Sequence, residues 1–313
     1  DIHAYKYPGG LSRDTAGNWG HGDGTPYAPR ATPKKRPENW RAHINLAAAL
    51  GERGDSGHAI GICRELLERL PRRTAVVEGS AAGVEVYEDR NVHFYARAHE
   101  LWGAALDRQG NPDEALSHYE ETLMADPGNP SARLNLASLL ARTGRQEEAL
   151  GEFARVAGQN PDWAEAWFRW GQVSIGAGRV EDGVRHLEHA LLADPGHLRA
   201  ATSLAWIRAT APAAAMRDGK QALRLASRLV MASGGESIRA FEVLAAAHAE
   251  NGDYDGAEKS LAQALLVLER DQGQAGPEPG TWQDEITQQL EVYRRKHPYR
   301  DPRLLDQPDP GKD

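Results

Sequence analysis

Cysteine, methionine and phenylalanine are scarce in this 313-residue chain, which has one, three and four of them. A single thiol, Cys63, excludes an internal disulfide, a CxxC redox pair, a cysteine-rich zinc site and a c-type haem attachment motif. Long apolar runs are missing too: none approaches the roughly 18 residues of a membrane-crossing helix, and the mean hydropathy is −0.62. Basic residues are outnumbered, 37 Lys plus Arg against 45 Asp plus Glu, for a net charge of −8. That balance argues against nucleic acid as a partner, because binding it needs a basic face to displace phosphate counterions. What remains, 40% hydrophobic and 26% charged, is the composition of a globular chain. The sequence opens on Asp1 and not on Met, which reads as a removed leader or a fragment start.

Glycine, in contrast, is plentiful at 32 residues, and it is placed periodically. Gly110, Gly144 and Gly178 are spaced by 34, as are Pro127, Pro161 and Pro195 and the small residues Ala115, Ala149 and Gly183. A fixed period of this length marks a stacked repeat. Within the unit starting at Pro130, Leu136, Ala137 and Leu140 precede Gly144, and Ala149, Phe153 and Val156 precede Asn160-Pro161. Apolar residues three and four apart predict two helices, the glycine ending the first and the proline closing the second. Small residues at 137 and 149 let the two backbones approach.

These residues resemble the tetratricopeptide repeat family. Residues 96–129 carry Trp102-Gly103, Leu106, Gly110, Ala115, Tyr119 and Asp126-Pro127, and residues 164–197 carry Trp167, Trp170-Gly171, Gly178, Gly183, Leu187, Ala190 and Asp194-Pro195. Residues 40–73 and 238–271 fit with Leu46-Ala47, Gly54, Ala59 and Cys63, and with Leu244-Ala245, Gly252, Ala257 and Leu261. The resemblance implies an all-α, right-handed solenoid of about six helix-turn-helix repeats, at 40–73, 96–129, 130–163, 164–197, 198–237 and 238–271. An insert at 74–95 interrupts the period. Its Val76-Val77 and Val84, Val86 flank a Gly79 to Gly83 turn, which suits a hairpin or a helix extended into the next repeat. A loop at 272–281 leads to a capping helix at 282–297, with Trp282, Ile286, Leu290 and Tyr293 on one face, then a tail at 298–313. The closing Tyr293-Arg294 and Pro298-Tyr299-Arg300 resemble the end of bacterial tetratricopeptide proteins.

The first 39 residues are Gly- and Pro-rich and show no helical period. Tyr5, Tyr7, Trp19 and Tyr27 nevertheless give them more aromatic surface than a linker needs. Three readings stand: a plain linker, an arm folded back on its own solenoid, or an arm docked on a neighbouring copy. The third would build a head-to-tail polymer or filament, since a heterologous contact that does not close propagates.

No catalytic constellation emerges, and the chain is expected not to be an enzyme. Gly20-His21-Gly22-Asp23-Gly24 lacks the third spaced glycine and the Lys-Ser/Thr end of a phosphate loop. His186, His189 and His197 share a region but no carboxylate completes a ligand pattern, so neither metal nor cofactor is expected. His99-Glu100 is followed by Gly103 where a zinc-protease helix needs a second His, and Cys63 falls in a core slot.

The resemblance implies that the first helix of each repeat lines a groove for an extended peptide or a helix of a protein partner. The groove positions are then Ile44, Asn45, Ala48, Leu134, Asn135, Ser138, Phe168, Arg169, Gln172, Thr202 and Trp206. Phe168, Trp206 and Trp163 suggest an apolar or aromatic ligand segment, whereas Trp167 and Trp170 read as core. Asn45, Asn135 and Arg169 resemble part of a terminal-carboxylate clamp whose lysines are missing. The expected function is a non-catalytic interaction or assembly scaffold, self-associating through the arm and extracytoplasmic. The alternative is an accessory, substrate-presenting segment of a larger membrane glycosyltransferase-like enzyme, since similar repeats follow such domains in some bacterial proteins.

Overall fold

The computed structural model describes residues 11–13, 19–21, 39–70, 72–76, 83–87, 91–271 and 279–304. Twelve helices form six consecutive antiparallel pairs: α1 (Trp40–Glu52) with α2 (Ser56–Arg69), α3 (Val92–Arg108) with α4 (Pro112–Ala125), α5 (Pro130–Arg142) with α6 (Gln146–Gln159), α7 (Ala164–Gly176) with α8 (Val180–Ala193), α9 (Leu198–Thr210) with α10 (Gly219–Ala232), and α11 (Ile238–Glu250) with α12 (Tyr254–Asp271). A thirteenth, α13 (Pro279–Arg294), packs on α12. Each pair also touches the next, so the body is an all-α solenoid with a core that runs from repeat to repeat.

The turn glycines explain the pairing. Gly54, Gly110, Gly144, Gly178 and Gly252 have φ between 77° and 84°, the left-handed region that other residues avoid. The next residue then reaches back to a carbonyl five positions earlier, as Arg145 N–H does to Leu140 at 2.9 Å, which satisfies the frayed helix end. Starts are capped as well: the Asn129 side chain accepts from the Ala132 N–H at 2.9 Å, with Pro130 at the first helical position.

Inside a pair, small residues set the spacing. Ala137 and Ala149 are fully buried beside Phe153 and Val156. A Cβ on Gly103 would stand 3.0 Å from the Tyr119 ring, and one on Gly183 would stand 2.9 Å from the Gly171 carbonyl oxygen. These glycines are therefore packing sites, where two helix backbones meet.

Outside the solenoid, β3 (Arg72–Val76) pairs antiparallel with β4 (Gly83–Tyr87), from Arg72 opposite Tyr87 to Val76 opposite Gly83. Both conformations open to the insert occur in part: the hairpin forms, and α3 begins at Val92, inside the expected insert. A second ribbon, β1 (Leu11–Arg13) with β2 (Trp19–His21), lies upstream of α1. The side chains of Tyr5, Tyr7, Trp19 and Tyr27, the expected assembly arm, lie outside the described residues.

After α13 the chain turns back across the solenoid. Asp301 N–H donates to the Thr210 carbonyl at 3.0 Å and the Arg300 guanidinium donates to the Ala209 carbonyl at 3.2 Å, both at the end of α9. Arg300 also pairs with Glu250 of α11 at 2.7 Å, and Leu304 is buried in the core of repeats four to six. Residues 299–304 thus form a strap anchored to α9 and α11.

Candidate functional site

Two adjoining hollows open on the side of the first helices and share Gln172. The upper one, about 430 Å³, lies between α5, α7 and α9. At its floor the Arg169 guanidinium donates to Glu165 at 2.6 Å and to the Asn135 amide oxygen at 3.4 Å. Glu165 also meets His197 at 3.2 Å and Arg199 at 3.5 Å. Burial pushes the Glu165 carboxyl up, but the hydrogen bonds and charges of Arg169, His197 and Arg199 prevail and hold it below the usual carboxylate range. Glu165 is therefore an ionised hub that fixes two arginines and the start of α9, where His197 caps the Ala200 N–H.

The lower hollow, about 560 Å³, lies between α7, α9, α11 and the strap. Gln172 donates to the Ser203 hydroxyl at 2.8 Å across its mouth. Trp206 forms its wall: the indole N–H donates to the Asp301 carboxylate at 2.8 Å, and the Arg239 guanidinium lies 4.3 Å from the ring centroid. Arg303 doubles back on Asp301 through Nε and Nη2 at 2.9 and 3.0 Å. Burial raises the Asp301 carboxyl, and the bonds from Arg303 and Trp206 more than reverse this, holding it below its ordinary value.

Asn135, Ser138, Phe168, Arg169 and Gln172 meet in the upper hollow, and Thr202 and Trp206 in the lower one. Three of the expected groove residues are nearly buried. Leu134, Phe168 and Trp206 are only 2%, 3% and 5% exposed, so they are core residues that offer a ligand at most an edge. Their register explains it: a first helix must bury one stripe against its own partner helix and another against the next repeat, and large side chains fill both. Ile44 and Asn45, on α1, line neither hollow. The polar positions Asn135, Ser138, Arg169, Gln172 and Thr202 are the ones that keep exposed surface in the hollows.

The histidines do other work. His186 stacks on Trp170 with centroids 3.7 Å apart and His189 on Trp167 at 4.6 Å, while His197 faces Glu165. Trp102 and His118 form a matching stack in the second repeat, at 4.4 Å. Among the described residues no three His, Cys, Asp or Glu side chains are grouped to hold a metal ion. Burial pushes the Cys63 thiol up to about 12, so at neutral pH it is a core filler and not a nucleophile.

Sequence reasoning missed the strap. Asp301 is 95 positions from Trp206, and no local pattern encodes such a contact; the only signal was the closing Pro298-Tyr299-Arg300 run.

Residues 108–168 match the model of the tetratricopeptide repeat family. Over 85 residues the chain is 36% identical to the TPR repeat-containing thioredoxin TTL4 of Arabidopsis thaliana, covering 27% of this chain and 12% of that protein. Over 148 residues it is 28% identical to surface lipoprotein assembly modifier 1 of Neisseria meningitidis serogroup B, covering 41% of this chain and 29% of the relative. The chain thus spans less than a third of the length of these curated relatives. Among solved structures, pilF of Pseudomonas aeruginosa superposes with a TM-score of 0.58 at 18% identity, over 80% of this chain and 97% of the other. A tetratricopeptide repeat protein from Parabacteroides merdae gives 0.52 at 18% identity, over 82% and 88%. These two likenesses bear on the fold alone.

Proposed function

Because this chain is a tetratricopeptide repeat protein, we propose that it is a non-catalytic interaction scaffold whose first-helix side, between α5 and α9, receives a segment of a protein partner. The observation that carries this reading is the pair of adjoining hollows, in which exposed Gln172 is bonded to Ser203, half-buried Arg169 to Glu165, and half-buried Asn135 to Arg169. Preorganised polar groups on rigid helices lose little entropy when a ligand binds. Gln172→Trp fills the shared mouth without touching the core. Affinity capture from source cells is expected to lose its specific partner with this variant and to keep it with Arg185→Glu on the far side, in α8. An unchanged partner set with Gln172→Trp refutes the reading.

A second activity, self-association through the aromatic arm at 1–39, is supported by an open apolar hollow on the first repeat. It is about 530 Å³ and lined by Leu46, Leu50 and Ile62, with Leu46 48% exposed. Among the described residues nothing fills this hollow, and an apolar patch at the end of a solenoid is a surface for another segment to cover. Light scattering of the whole chain and of one lacking residues 1–37 tests it. Oligomers that persist after the deletion rule the arm out as the connector.

A further inference from the structure

Among the described residues, large apolar side chains left in water fall mostly in one register. Met124, Leu192, Met231 and Leu266 are 69%, 77%, 72% and 52% exposed. Each lies nine residues after the small residue of its second helix, Ala115, Gly183, Ala222 or Ala257. They recur at the same end of α4, α8, α10 and α12, and because the fourth to sixth repeats are consecutive, Leu192, Met231 and Leu266 form a row. A single exposed Leu needs no explanation, but a row does. Leu198 joins it. The Arg228 guanidinium of α10 donates to the Pro195 carbonyl, which holds the end of α10 against the turn between α8 and α9. Leu192 precedes Pro195 by three residues, Leu198, 49% exposed, follows it by three, and Met231 lies one helical turn beyond Arg228.

The outer face of α10 is basic. Lys220, Arg224, Arg228 and Met231 are four, four and three residues apart, so they share one face, and all four are exposed. No acidic residue occurs between Gly219 and Ala232, and among the described residues no carboxylate pairs with Lys220, Arg224 or Arg228. The other second helices of this region differ: α4, α6 and α8 begin with two acids each and α12 with one, as the positive end of a helix favours. α10 begins with Lys220 and no acid. Lys259, exposed on α12 at the position of Arg224, extends the basic strip to the sixth repeat. Glu188 of α8 and Glu258 of α12, on the flanking helices, are engaged by Arg208 at 2.7 Å and Arg294 at 3.8 Å. The acid excess of the rest of the chain is screened beyond about 8–10 Å at physiological salt.

We propose that this face, centred on α10, rests on an anionic phospholipid surface, with Leu192, Leu198 and Met231 inserted among the headgroups and Lys220, Arg224 and Arg228 against the phosphates. Protruding Leu and Met tips beside unpaired cations suit a bilayer boundary, which takes up apolar side chains without a shaped pocket and attracts basic ones. A protein interface would call for aromatic anchors seated in pockets, and none of the exposed apolar side chains in the row is aromatic. Nucleic acid would engage the cations and leave the apolar row uncovered. Among the described residues no helix is long and apolar enough to cross a membrane, so the contact is a peripheral one. The hollows between the first helices stay open to a partner.

The test is flotation of the full chain with vesicles of phosphatidylcholine alone and of phosphatidylcholine with about one third phosphatidylglycerol. Binding is expected with the anionic vesicles only, and it should weaken as salt rises. Each basic residue at such a surface is worth about fivefold in affinity, so Lys220→Glu with Arg224→Glu should weaken binding by at least about 25-fold. The same charge change at exposed positions of α1, Arg41→Glu with Arg53→Glu, should leave it unchanged. Leu192→Ser with Met231→Ser, at side chains already mostly in water, should weaken binding by about tenfold. Met231→Trp should strengthen it, because Trp favours the membrane interface, and a misfolded chain could not mimic that gain. Equal binding to the neutral vesicles, no binding to the anionic ones at low salt, indifference to the α10 reversals or to the serine pair, or tighter binding of a labelled single-stranded oligonucleotide overturns the proposal.

Discussion

Asp301→Ala tests whether the strap is held as described. The substitution removes the acceptor of the Trp206 indole N–H, which is 2.8 Å away in a site where Trp206 is 5% exposed. A buried donor left without a partner costs about 1–3 kcal/mol. The Arg303 side chain, already 68% exposed, returns to water at little further cost. The sum is about 2 kcal/mol, or roughly thirtyfold in the equilibrium between docked and released strap. Asp301→Asn keeps an oxygen acceptor for the indole and should cost about half as much. Global melting is a poor readout, since repeat arrays unfold in sections. Hydrogen exchange is direct: the Asp301 and Leu304 amides, bonded to Thr210 and Asp301 carbonyls at 3.0 and 3.2 Å, report the strap itself. Their protection should fall by about thirtyfold in Asp301→Ala, with the amides of α1 to α4 unaffected. Protection within threefold or so of the parent would refute the Trp206–Asp301 account.

Other perturbations follow from the same geometry. A Cβ at Gly183 would lie 2.5 Å from Ile175 Cγ1 and 2.9 Å from the Gly171 carbonyl oxygen, so Gly183→Ala should lose about 1–3 kcal/mol to overpacking, outweighing the ~1 kcal/mol of helix propensity gained. Gly151, inside α6 with nothing within 4 Å of its Cβ position, should give the opposite sign on Gly151→Ala, a gain of about 0.5–1 kcal/mol; urea midpoints decide both. Burial lowers His99 and His186 from 6.5 to about 4, aided at His99 by the nearby His118. Because the folded state resists the proton, this contribution is complete above pH 6.5 and is lost as pH falls toward 4. A double His99→Phe, His186→Phe variant should therefore flatten the acid limb of the stability curve, and an unchanged limb would contradict the assignment. Cys63 should resist thiol reagents in the folded chain and react at once in denaturant.

The repeat architecture was legible because its determinants are local. Gly144 ends a helix by its own φ, and Ala137 and Ala149 meet within one pair. The site was only half legible. Periodicity located the first helices and thereby Asn135, Arg169 and Gln172, but it could not tell which large residues on them are claimed by the next repeat. Phe168 packs with the fifth repeat, in one cluster with Ala201 and Leu204, and Trp206 is covered by a strap from the far end of the chain.

The claim on which the functional account depends is that partners dock on the first-helix side between α5 and α9. A photo-crosslinking residue introduced in place of Gln172, and separately in place of Arg185, measures it directly in the full chain with its captured partner. The account predicts a covalent adduct from position 172 and none from position 185. An adduct from position 185 alone would place the partner on the opposite side and contradict it.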